Sequence, residues 1–62
     1  MVKYKVTSLL LIADGQALLS AIFPNYNGQQ AWFEQSEIIV VFDTEQTPNN
    51  LGPLVKIELL QN

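Results

Sequence analysis

Leu9-Leu10-Leu11-Ile12-Ala13-Asp14-Gly15-Gln16-Ala17-Leu18-Leu19 is the stretch on which the fold turns. Asp-Gly between two apolar runs is a preferred two-residue hairpin loop, since both positions of that turn need positive φ. The same aspartate is also a good helix N-cap, accepting from a backbone N–H two or three residues on. Ala17, Leu18, Ala21 and Ile22 then form one stripe of a short helix that Pro24 would end. Taken as a hairpin, the stretch gives an all-β chain; taken as a cap, it gives an α+β chain.

The next turn favours the hairpin. Asn27-Gly28 lies between Ala21-Ile22-Phe23-Pro24 and Ala31-Trp32-Phe33, and Asn25-Tyr26-Asn27-Gly28 is turn chemistry throughout. With Asp14-Gly15 as the first loop, Ile12 faces Ala17, Leu10 faces Leu19, Ser8 faces Ala21 and Val6 faces Phe23. With Asn27-Gly28 as the second, Phe23 pairs with Trp32. Both turns then place Val2, Tyr4, Val6, Phe23 and Trp32 on one apolar side, an agreement between levels expected of a specified fold. Glu37-Ile38-Ile39-Val40-Val41-Phe42-Asp43 is rich in β-branched residues and reads as a strand. Thr47-Pro48-Asn49-Asn50 and Gly52-Pro53 break the chain between residues 44 and 53. The last strand is Leu54 to Leu60, with Val55, Ile57 and Leu59 inward and Lys56 and Glu58 outward.

The expectation is one small domain over residues 1–62: an all-β, five-stranded antiparallel meander curling into a small SH3-like barrel, which would remove exposed edges. The comparison with SH3-like domains is architectural only. The alternative is α+β, in the order β-α-β-β, with the short helix at 15–23.

Composition narrows function. The 62 residues contain no histidine, cysteine or arginine, while 48% of them are hydrophobic and 15% charged. Disulfides and thiolate metal sites are thereby excluded. Serine and threonine hydroxyls have no histidine to activate them, and the three glycines sit in separate turns rather than in a phosphate-binding loop. Glu34 and Glu37 flank a tight link and are the one pair of carboxylates to weigh for acid–base work, but nothing places a pocket beside them. Asp43, Glu45, Thr47 and Asn49 have the alternate spacing of a calcium loop, yet Pro48 stands where such a loop needs glycine. The chain reads as a non-enzyme with no metal, cofactor or small-molecule substrate.

Three lysines against six carboxylates give a net charge of −3, which argues against phosphate-backbone binding. The apolar runs are far shorter than the roughly 20 residues of a membrane helix. Leu9 to Ala13 is interrupted by Asp14-Gly15, and no small-residue cleavage site follows, so the expectation is a cytoplasmic chain without a signal peptide. A domain this short buries only about 60% of its unfolded surface, and association is a common remedy. The face opposite the core would carry Leu9, Leu11, Leu18, Ile22 and Phe33, more apolar surface than a one-sided sheet shows to water. With Tyr26 at a hairpin tip, these residues form the expected partner-binding surface. The expected function is a small protein-interaction module, acting as a homo-oligomer or as an accessory subunit or modulator of a larger assembly. The alternative is a small-barrel binder of single-stranded nucleic acid using Lys3, Lys5, Tyr26 and an exposed aromatic.

Overall fold

The computed structural model describes residues 1–62 and resolves the ambiguity at Asp14 in favour of the cap. Asp14 is extended (φ −140°, ψ 94°), and its carboxylate accepts from the Ala17 N–H at 3.2 Å. Only Gly28 and Gly52 have positive φ, so Gly15 is not in the conformation a two-residue hairpin requires. Instead it opens helix α1, Gly15–Ile22. The segment Gln16 to Ala21 contains good helix formers and no β-branched residue. Leu19 and Ile22 lie on one side of α1, and both are fully buried. Phe23 turns extended, and its N–H closes the last turn on the Leu19 carbonyl. Pro24 disfavours helix at the residue before it.

Four strands accompany the helix: β1 (Val2–Ser8), β2 (Ala31–Phe33), β3 (Glu37–Phe42) and β4 (Val55–Gln61). They form one antiparallel sheet in the order β2-β3-β1-β4. The five-stranded barrel is therefore corrected: the chain is mostly β with one short helix, and its sheet is open at β2 and β4. Residues 9–13, expected as a strand, are a connecting segment, and residues 17–22 of the second expected strand belong to α1, with Phe23 extended after it. The helix of the alternative is present, in the order β-α-β-β-β.

The order of the strands makes both long connections crossovers. β1 and β2 each pair antiparallel with β3, so they run parallel to each other, and α1 connects them. β3 and β4 each pair antiparallel with β1, so they too run parallel, joined by residues 43–54. Each crossover spans one intervening strand, as in a split β-α-β unit. The second has no helix.

Registry fixes which residues share a face. Val2, Tyr4 and Val6 of β1 align with Phe42, Val40 and Ile38 of β3. These six, with Leu19, Ile22 and Phe23, make the core. Tyr4, Phe23 and Phe42 meet in a ring cluster with centroids 4.9–5.9 Å apart. On β4, Val55, Ile57 and Leu59 point to the same side, as alternation requires, but none is fully buried. Lys3, Lys5 and Thr7 face the other side, which no helix covers.

Candidate interaction surface

The six residues expected to form one apolar face are split by the helix. Ile22 is wholly buried and belongs to the core. Leu18, one turn earlier on the helix, is half-buried and packs against that core. Both are thereby removed from a free apolar sheet face, because the helix turns them inward. Tyr26 is half-buried, and its hydroxyl donates to Gln16 Oε1 at 2.6 Å, tying the loop after α1 to the first turn of the helix. Phe33 is 45% exposed and lies over Gly15, where a Cβ would run into its ring. Glycine at the first position of α1 is thus explained by close approach rather than by turn geometry.

Leu9 and Leu11 are exposed, with Leu10 between them, at 74%, 75% and 63% respectively. They do not lie on a sheet face. The chain leaves β1 and runs across the end of the sheet, held at both ends of this stretch. The Leu9 N–H donates to the Leu54 carbonyl at 3.0 Å beside β4, and the Ile12 N–H donates to the Gln35 carbonyl at 2.9 Å in the β2–β3 link. Ser8 Oγ accepts from the Leu10 N–H at 3.1 Å. Three leucines therefore project from an anchored backbone as a ridge. Exposed Leu54 is joined to Leu9 by its carbonyl at one end, and beyond the other end Phe33 shares a depression with Ile12 and Ala13. Beneath the ridge, Leu10, Leu11, Ala17 and Leu18 help to line a shallow depression of ≈ 390 Å³.

Trp32 was expected in the core and is not there. It pairs with Ile39, on the uncovered side of the sheet, and is 49% exposed. The expectation failed because its parity was counted from a strand at 17–23 that is a helix. The tight link could have signalled the correct parity: the Glu34 N–H bonds the Glu37 carbonyl at 2.8 Å, and Phe33 then falls opposite Ile38.

All three lysines share the uncovered face with Trp32, since Lys56 is in register with Thr7. Glu37 and Glu58 lie there too. Lys5 Nζ is 3.1 Å from Glu37 Oε2, with both side chains partly exposed. Glu37 is thus engaged by a lysine, while Glu34 sits in the link outside the strands. The two do not converge on a common pocket. Asn49, one of the alternate positions weighed for calcium, is directed elsewhere. Its side-chain amide donates to the Ala21 carbonyl at 3.0 Å and its N–H to the Ile22 carbonyl at 2.7 Å, capping the end of α1. No helix is long and apolar enough to cross a membrane. No protein-family model matches the chain, and neither a curated protein nor a solved structure does.

Proposed function

We propose that the chain is a small non-catalytic, cytoplasmic protein-interaction module and that the Leu9-Leu10-Leu11 ridge is its contact surface. The supporting observation is the combination of exposure and anchoring. Three adjacent leucines stand in water on a backbone hydrogen-bonded at Leu9 and Ile12. Contiguous apolar surface on a soluble domain usually marks an interaction site. Withdrawing the three side chains from water contributes about 3–6 kcal/mol gross, against an association cost of about 4–15 kcal/mol. The ridge alone makes a weak contact; Leu54 and Phe33 are the neighbours that extend it.

The test is the double variant Leu9→Glu with Leu11→Glu. Neither residue belongs to the core, so circular dichroism and the urea midpoint should stay close to those of the parent. Capture of partner protein from the cognate lysate should be lost. The reading fails if the parent chain captures nothing that the variant does not and self-associates no more strongly than the variant.

The nucleic-acid reading has one observation in its favour, the placement of Lys3, Lys5, Lys56 and Trp32 on one open sheet face, where an aromatic can stack bases. Glu37 and Glu58 offset two of those three lysines, and Lys5 is already paired. Binding of a single-stranded oligonucleotide at low salt, weakening as salt rises, would select this reading over the ridge.

A further inference from the structure

The edge strand β4 leaves one side of its backbone unpaired over seven residues, Val55–Gln61. The opposite edge, β2, is three residues long. Sheet edges are usually blunted by brevity, charged side chains (lysine above all), proline, bulges or inward charges, and β4 carries one such lysine, Lys56. β4 has its register shift near the end of the strand, opposite Lys3 and Tyr4, and no proline or inward charge between Val55 and Leu59.

From the order of its residues we infer that β4 pairs with β4 of a second copy, antiparallel and centred on Ile57. In that register Ile57 meets Ile57, and Val55 and Leu59 meet the second copy's Leu59 and Val55. Lys56 and Glu58 meet the second copy's Glu58 and Lys56. Beyond them Leu54 lies across from the second copy's Leu60; these side chains are 49% and 44% exposed in the single chain. Every apolar residue gains an apolar partner, and each charge gains its opposite. The neighbouring same-face registers fail this test. Centring on Lys56 sets lysine against lysine, and centring on Glu58 sets glutamate against glutamate, arrangements that destabilise cross-strand pairs.

The charges are also available. The ion pair in the chain is Lys5 with Glu37, and neither Lys56 nor Glu58 has an ionic partner of its own. Such a contact is isologous, the same strand serving both subunits about a two-fold axis. It covers Leu59 and continues the sheet through the junction. It involves a surface separate from the Leu9-Leu10-Leu11 ridge and stands whether or not the ridge binds a partner.

A charge exchange tests it on the full chain by sedimentation equilibrium over a wide concentration range. The parent should dimerise. Glu58→Lys alone, and Lys56→Glu alone, place like charges opposite each other twice per dimer and should weaken dimerisation by about tenfold or more. Mixing the two variants in equal amounts should restore a dimer, as should the double exchange within one chain. Should Glu58→Lys fold poorly through loss of its position opposite Lys5, Lys56→Glu faces only Thr7 in β1 and carries the test by itself, through its loss of dimerisation relative to the parent. A parent that stays monomeric at millimolar concentration overturns the inference. So do single variants that dimerise like the parent, or a mixture that fails to recover. A dimer abolished by Leu9→Glu with Leu11→Glu but indifferent to the charge exchange would place self-association on the ridge and also overturn it.

Discussion

The two crossovers of this fold are built by opposite means. The first, through α1, is sealed by apolar burial: Leu19, Ile22 and Phe23 have no solvent exposure and press on β1 and β3. The second, through residues 43–54, is latched by polar contacts. Tyr4 Oη accepts from the Gln46 N–H at 2.6 Å and donates to the Gln46 carbonyl at 3.1 Å. Asn49 caps α1, and the Leu54 carbonyl receives the Leu9 N–H. Full burial of one large apolar side chain contributes about 1.5–3 kcal/mol, whereas a net hydrogen bond contributes about 0.5–1.5 kcal/mol. The helix side of the sheet is therefore dry over β3 and β1 but only partly covered over β4. The incompleteness of the second crossover leaves Leu54 and Leu59 in water, and it borders both of the proposed contact surfaces.

The largest way to break this contrast is at Phe23. Its ring contacts those of Tyr4 and Phe42 at 5.1 Å and 4.9 Å. Phe23→Ala should destabilise by about 3–5 kcal/mol. For a domain whose whole stability is about 5 kcal/mol or a little more, that leaves the chain largely unfolded at room temperature. Urea titration followed by circular dichroism reads it directly. A loss below 1 kcal/mol would mean that the apolar seal is not what holds the first crossover.

Tyr4→Phe removes the latch and leaves the ring. Two backbone groups of Gln46 lose their partner in a half-buried position. The expected loss is about 1–3 kcal/mol. Hydrogen exchange separates the two crossovers within one sample. The amides of Gln46 and Asn49 should exchange faster in Tyr4→Phe, while that of Phe23, bonded to Leu19, should follow only the global change. Equal acceleration across both connections would show that the chain opens as a single unit.

What could be read in the residues follows the same division. β1 was legible because Lys3, Lys5 and Thr7 alternate with Val2, Tyr4 and Val6, so one period fixes both the strand and its inner face. The breakers between 44 and 53 were legible as an irregular segment. β3 declared itself a strand but not its orientation, since Ile38 to Phe42 is apolar on both faces and four of those five residues are buried. Trp32 and Phe33 of the neighbouring β2 fall on the wrong sides when their parity is counted through Asn27-Gly28 from a segment that is a helix, and Ile38 to Phe42 holds no polar residue to correct the count. Exposure of Leu9, Leu11 and Phe33 was foreseen, although the first two project from a connection rather than from a sheet. Ile22 was misplaced because a stripe at helical spacing had been counted at a spacing of two.

The smallest effect probes the residue that decided between the two folds. Asp14 holds the N-terminus of α1 through one hydrogen bond to Ala17. Asp14→Ala should cost about 1 kcal/mol, and Asp14→Asn close to nothing, because asparagine caps as well as aspartate. Gly15→Ala serves as a control at the adjoining position. In a hairpin it would force alanine into positive φ, whereas at the start of a helix it asks only that the half-exposed Phe33 ring move aside. Combining Gly15→Ala with Phe33→Ala should therefore cost less than the sum of the two single changes, since the smaller side chain vacates the space the new Cβ needs. Strict additivity in that cycle would detach Gly15 from Phe33. An equal loss from Asp14→Asn and Asp14→Ala would show that the carboxylate acts by its charge rather than as a cap.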